Sequence, residues 1–431
     1  MDIAILGNGQ IWDVTKIRDD RPEAVFEDLF SGRSLKERAL AFDRQHAADH
    51  GGRAIFGAFL EEGKTSVTGR SVTLAFESGN EEAVSAAQTV LDEMAVDCAR
   101  AVEMVTKGTA VKEAWTENEK KMWQDIRCLV IGGGVSRGET GRYIIEKITG
   151  YFRKDPKLRP IDVFQGRYPG KESGILGAVA YAVPFILHEG EFSQDACIIG
   201  IDFGRTELGV GVVRLDLRMN KIYPAPSTQG TAEGPFLFYK SVSTYDPDAL
   251  LPFADACREY SEEERARGIE IRTEIVRRIV DLTREAIDFT KAEGLSVSRN
   301  IGVGSPGEVS KDNWLVSSTQ YLPFFQEKDG FRLGDALRRT LEEGEGFTPL
   351  DNGSSDDAVG TQSENGTEVE RAPSNNDNIT GFNFHIVNDG IAAGLANIRF
   401  GLASQEEMRE GRYMFLGPGS GLGGGLFYVR P

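Results

Sequence analysis

CIIGIDFGRTELGVGVVRLD, residues 197–216, reads as two apolar strands joined by a tight turn. The apolar run 197–201 carries Asp202 to its end, Gly204 and Thr206 make the turn, and 208–215 alternates glycine with valine on the way back. Such a hairpin sets a carboxylate where hydrated magnesium can be held, and it leaves small residues where a phosphate can approach backbone amides. It begins almost halfway along a chain of 431 residues, a position that needs explaining.

Size and composition set the frame. A chain of 431 residues exceeds the roughly 250 to 300 at which a single core stops growing, which predicts two packed domains. Hydrophobic residues at 40%, charged residues at 27% and 50 glycines describe a globular, turn-rich protein. The net charge of −18 argues against a nucleic-acid partner, which needs a basic face. Cys98, Cys128, Cys197 and Cys257 lack CxxC or CxC spacing, so no disulfide framework is expected and the thiols read as small hydrophobes. No run approaches 18 apolar residues and the first residues lack a basic leader, which gives a cytoplasmic expectation with no membrane partner.

Outward from the hairpin, apolar spacing predicts helices over 80–105, with Asn80 as cap, over 174–187 and over 262–292. Residues 126–131 read as a strand that ends in three glycines, with a helix some residues later; ligands of α/β sheets commonly meet backbone at such a turn. Residues 3–13 read as two short strands around Asn8-Gly9, and 25–39 as a helix broken at Ser31-Gly32. Residues 382–387 form a strand that presents Asn388 and Asp389 to a small-residue helix, where Asp389 serves as a helix cap or as a general base. Residues 344–378 are acidic and poor in apolar side chains, and read as a disordered insertion.

Several patterns are decoys. His46 and His50 lie four apart without a third ligand, and fit a helix end stopped by Gly51-Gly52. GAFLEEGKT, 57–65, has five residues between its glycines where a P-loop has four, and neither strand nor helix flanks it obviously. Residues 419–424 match GxGxxG, but the seven residues after them cannot build a Rossmann helix and strand. They read as a second glycine hairpin.

Two glycine hairpins, one headed by Asp202, resemble the phosphate clamp of the actin-like ATPase and sugar kinase fold. The segments resemble those of the ROK family of repressors and sugar kinases. IDFGRT (201–206) is similar to its first phosphate motif, IGVGSPGEV (301–309) to its Ser-Pro-Gly segment, VNDGIAAGLA (387–396) to its Asn-Asp segment and GSGLGGGLF (419–427) to its second phosphate motif; LVIGGGVSRG (129–138) and GILGAVAYA (174–182) resemble its adenosine side. The order is rotated, and joining Pro431 to Met1 restores the family's order. The resemblance therefore implies an α/β, two-lobed actin-like ATPase (ribonuclease H-like) fold, circularly permuted, with Met1 and Pro431 near each other. The implied large lobe is 1–170 plus 409–431, and the small lobe is 171–408 with the acidic insertion 344–378 inside it.

The same resemblance implies an ATP-dependent sugar kinase with Asp389 as general base. Asp202 would hold magnesium, largely through water. Gly204, Arg205 and Thr206 on one hairpin, and Gly419, Ser420 and Gly421 on the other, would meet phosphates. Gly133 and Gly134 would face the nucleoside, and Asn388, Glu27, Gln320 and Ser305 would contact the sugar. The family's Glu-x-Gly-His element and cysteine-rich zinc loop have no counterpart in 12–22, so no structural zinc is expected. A homodimer is allowed. The alternatives are a catalytically degenerate ROK-like sugar- or nucleotide-binding regulator, and an actin-fold phosphotransferase with a non-sugar acceptor.

Overall fold

The computed structural model describes residues 2–8, 25–61, 63–109, 117–168, 170–190, 195–204, 206–218, 221–224, 234–253, 259–310, 315, 322, 324–325, 331–343, 381–402, 408–418 and 422–430. The fold is mixed α/β with two mixed sheets. In chain order the first elements are β1 (Asp2–Asn8), α1 (Phe26–Leu29), α2 (Gly32–Asp49), α3 (Gly69–Glu77), α4 (Glu81–Lys107), α5 (Glu117–Gln124), β2 (Ile126–Ile131), α6 (Gly138–Phe152), β3 (Asp162–Gln165) and α7 (Gly170–Glu189). There follow β4 (Asp195–Phe203), β5 (Glu207–Asp216), β6 (Lys221–Ile222), β7 (Phe238–Ser243), α8 (Pro247–Leu250), α9 (Glu262–Ala292), β8 (Asn300–Ser305), α10 (Leu333–Glu343), β9 (Asn383–Asn388), α11 (Asp389–Ala396), β10 (Gly411–Pro418) and β11 (Leu422–Arg430). Among the described residues no helix is long and apolar enough to cross a membrane.

The chain divides into two compact units, the first made of Met1–Ala180, Arg218–Ile222 and Asn388–Pro431. Its five-stranded sheet has the order β1-β11-β10-β2-β3. β1 and β10 flank β11 antiparallel, with Asp2 opposite Arg430 and Met414 opposite Leu426. β2 runs parallel to β10 and to β3. The IRCLVI sequence of β2 is almost uniformly apolar because both faces of this strand are covered, and Leu129, Val130 and Ile131 are fully buried.

Local chemistry sets the helix ends of this unit. The side-chain oxygen of Asn80 accepts the Ala83 N–H at 3.0 Å to start α4, and Gly108, at φ +69°, stops it in the left-handed conformation that glycine adopts without Cβ strain. Ser31 caps α2 through the Ser34 N–H at 3.2 Å, so the break at Ser31-Gly32 is a helix start. Arg38 of α2 reaches the nearly buried Asp97 of α4 at 2.5 Å.

The second unit comprises Tyr181–Leu217 and Tyr223–Val387. β4 lies between β5, antiparallel, and β8, parallel; β9 follows β8, and β7 pairs with the other edge of β5. α9 opens on a reciprocal Ser261–Glu264 capping box and buries Ile271, Ile275 and Ile279 at helical spacing. A polar thread runs through this otherwise apolar core: His385 Nε2 lies 2.7 Å from Asn300 Oδ1, and Asn300 Nδ2 donates to Glu189 at 2.7 Å. The His385 ring stacks on Phe185 at 3.7 Å, and burial pushes its imidazole down to about 4. The thiols of Cys98, Cys128 and Cys197 are buried and unbridged, and burial pushes all three up.

Boundaries differ from the sequence expectation in one respect. That respect is the extent of the first unit, which takes in residues 171–180, 218–222 and those from Asn388 onward out of the implied lobe 171–408. The physical reason is packing: α11 lies against β11, and Gly177 of α7 sits so near Ala392 that a Cβ there would overlap the Ala392 carbonyl. Gly177→Ala is therefore expected to lower stability by roughly 1–3 kcal/mol, the range for overpacking. Gly150→Ala in α6, where a Cβ meets nothing within 4 Å, should be neutral or stabilising by up to about 1 kcal/mol. Urea midpoints of the two variants beside the wild type check this; equal midpoints would contradict the packing argument.

Candidate functional site

The second unit holds the hairpin that heads the sequence argument. β4 ends in Asp202 and Phe203; Asp202 pairs with Gly209 across the hairpin and with Gly304 of the parallel strand β8. The turn is closed by the Gly204 N–H, which donates to Glu207 O at 3.0 Å, and is braced by Thr244, whose hydroxyl donates to Gly204 O at 2.6 Å. Thr206 is exposed, Asp202 half-buried. The register sets Ser305 one residue beyond the partner of Asp202, at the same end of the sheet, where its hydroxyl is buried. A carboxylate is a hard oxygen donor and fits magnesium. Among the described residues no three His, Cys, Asp or Glu side chains gather as a metal-holding group.

The first unit holds the second set. Asn388 is the N-cap of α11: its Oδ1 accepts the Ile391 N–H at 3.1 Å and its Nδ2 donates to Asp389 Oδ1 at 3.2 Å. Asp389 is thus the first helical residue and is not the cap. The Gly390 N–H donates to Asp389 Oδ1 at 2.7 Å. Asp389 meets solvent, although the density of protein around it pushes its carboxyl upward by desolvation, against the Gly390 N–H.

Glycine contacts join this carboxylate to the hairpin β10–β11. A Cβ on Gly390 would lie 2.7 Å from Gly424 N and 3.2 Å from Gly423 Cα. On the other face of β10, the Gly132 N–H donates to Leu416 O at 2.8 Å. Gly133, at φ +76°, turns the chain where a Cβ would lie 2.5 Å from Pro418 O. Asn388, Asp389, Gly133 and both strand ends of the glycine hairpin therefore belong to one packed unit. Gly134 is exposed at the same turn.

Glu27, on α1, is half-buried and paired with Arg33 at 3.1 Å. Arg33 in turn lines a cleft of about 740 Å³ in the first unit, with Lys36, Arg70, Arg137, Gly134 and Pro418. The sequence reading missed these cations. A repeated signal was there: Ser31-Gly32-Arg33, Thr68-Gly69-Arg70 and Ser136-Arg137-Gly138 each set a small polar residue, a glycine and an arginine at a helix start.

Arg205, Gln320, Gly419, Ser420, Gly421, Cys257, the interval 12–22 and the insertion 344–378 lie outside the described residues. The His46 and His50 rings stack at 4.1 Å at the end of α2, which Gly51 and Gly52 terminate in left-handed conformations. Within GAFLEEGKT the Gly57 N–H donates to Asp43 Oδ2 at 3.1 Å, and the next α-helix begins only at Gly69.

No family model matches the chain, and none of the curated proteins matches it. Asn388→Ala should cost roughly 0.5–2 kcal/mol by removing the α11 cap, whereas Asn388→Ser should retain most of it. Thermal unfolding of both variants tests the assignment, and equal losses would refute capping by this side chain.

Proposed function

We propose that the chain is an ATP-dependent kinase that transfers the γ-phosphate to a hydroxyl of a hexose or related sugar, on a circularly permuted, ROK-like form of the actin-like ATPase fold. The observation that carries this reading is Asp389 at the head of α11, laid by Gly390 against Gly423 and Gly424 beside the glycine hairpin. Asp389 and the strand that follows residues 419–421 thereby share one unit, which supports a base beside a phosphate turn. The pairing of Asp2 with Arg430 supports the permutation, since joining the chain ends would make β11 and β1 consecutive strands.

Phosphoryl transfer asks the protein for in-line placement and charge neutralisation more than for covalent chemistry. Magnesium, when bound, would neutralise charge on the transferring phosphates, with Asp202 as its carboxylate. Gly204 and Thr206 would accept one side of the phosphate chain, and Gly419, Ser420 and Gly421 the other. Ser305, beside Asp202 in the second unit, would serve the acceptor side with Gln320, and Gly133 and Gly134 the nucleoside. Asp389 would take the proton of the attacking hydroxyl. Asn388 orients that carboxylate, because its Nδ2 donates to Asp389 while its Oδ1 caps the helix. Glu27 would hold a sugar hydroxyl through the acceptor sites its Arg33 pair leaves open. The lack of a Glu-x-Gly-His counterpart in 12–22 favours a second reading, a binder without turnover.

ADP release measured across a panel of sugars tests both. The kinase reading expects sugar-dependent turnover that falls about 10²- to 10⁴-fold in Asp389→Asn. Asp202→Asn should weaken magnesium-dependent nucleotide binding. Because the Asp389 carboxyl is held upward from its usual range, the acidic limb of the rate profile should begin at higher pH than for an ordinary aspartate. The sign follows from the base being needed ionised: rate is lost as pH falls through the raised pKa. Nucleotide binding without turnover would select the binder; turnover undiminished in Asp389→Asn would remove Asp389 as the base.

A further inference from the structure

The cleft beside Gly134 has a charge pattern at odds with the rest of the chain. The sequence holds 49 basic and 67 acidic residues, yet among the described residues the cleft is lined by Arg33, Lys36, Arg70 and Arg137 with Glu61 as the single acidic residue. Arg33 is shared with Glu27, while Lys36, Arg70 and Arg137 make no ion pair with any described residue. Unpaired like charges gathered in one concavity repel each other, and a bound anion relieves that repulsion.

Backbone geometry adds to the same sign. α2, α3 and α6, of 18, 9 and 15 residues, all begin at this cleft, through Gly32, Gly69 and Arg137. The starts of α2 and α3 abut, since a Cβ on Gly69 would stand 3.0 Å from Gly32 O. Helix starts present unpaired N–H groups and positive dipole ends. Thr68, in the lining, has a hydroxyl oxygen with no hydrogen-bond partner among the described residues. Arginine forks and backbone N–H groups together suit tetrahedral oxyanions. The volume of about 740 Å³ exceeds what a single phosphate fills and falls in the range of ligand pockets, roughly 300–1,000 Å³.

We propose that this cleft binds a phosphate-class polyanion of about nucleotide size, held by its phosphates on Lys36, Arg70, Arg137 and the three helix starts. The inference concerns anion recognition and does not depend on phosphotransfer; it sets phosphates, and not a nucleoside, beside Gly134, and so stands apart from the placement of ATP given above. The phosphate chain of a nucleotide and an inorganic polyphosphate share this chemistry, and the two are separated by experiment.

Calorimetric titration of the full chain with ATP, inorganic triphosphate and adenosine provides the test. Binding by ATP and triphosphate alike would show that the phosphate chain suffices; binding by ATP with none by triphosphate would assign a nucleotide source. In either case affinity should fall at least about tenfold in Arg70→Gln/Arg137→Gln, fall in Lys36→Gln, and weaken with added salt. Arg70 and Arg137 are exposed, and unfolding midpoints verify that the variants fold. The inference is overturned if adenosine binds as tightly as ATP, if neither polyanion binds at millimolar concentration, or if folded variants bind as the wild type does. The outcomes separate from those of the kinase reading: anion binding lost in the cleft variants with no sugar-dependent turnover in the wild type sinks the kinase alone, whereas turnover with unchanged anion binding in those variants sinks the cleft alone.

Discussion

Helix α11 lies closer to the sheet beneath it than side chains permit, and the first unit depends on that approach. Gly390 and Gly394 face Gly423, Gly424 and the Phe427 ring, and a Cβ at either helix position would intrude below 3 Å. Backbone on backbone is a stiff contact, because neither partner has rotamers to adjust. It also costs conformational entropy at each glycine, so such a seam persists only where closeness serves packing. Here it fixes where α11 begins. The position of Asp389 follows from main-chain geometry, with one backbone N–H and the Asn388 amide on the same carboxylate oxygen.

The second unit achieves its corresponding placement through the ladder. β4 is bonded on both sides, antiparallel to β5 and parallel to β8, and this double ladder holds Asp202 in register. The hairpin turn is then closed by its own backbone and by Thr244, a residue from beyond β7. The alternating glycines that mark β5 in the sequence pair with the glycine of β4 at Gly200–Gly211, where two strands meet with no side chain between them.

Periodicity carried most of the secondary structure. The 262–292 helix and the 126–131 strand have the limits their apolar spacing implies, and the Asn80 cap is made by its side chain. Two features were not legible. Asn388 and Asp389 are both good caps, and only the hydrogen bond from Ile391 separates them. The unit boundary at Val387–Asn388 falls inside an unbroken strand and helix, without the proline or polar linker that marks boundaries in sequence. The cationic cleft was overlooked for a different reason: its side chains come from helix starts far apart along the chain, and the small polar, glycine and arginine triplets at 31–33, 68–70 and 136–138 gain meaning only once the fold gathers them.

The buried thread of the second unit fixes something no heavy-atom position records, the hydrogen on an imidazole. Asn300 Nδ2 must be the donor to the Glu189 carboxylate, so its Oδ1 is the atom facing His385. An acceptor there requires the proton of the neutral ring on Nε2, and desolvation keeps the ring neutral near physiological pH. His385, Asn300 and Glu189 therefore form a one-way chain of donors ending on a carboxylate. A single tautomer is selected, and Nδ1 is left as the lone-pair side of the ring.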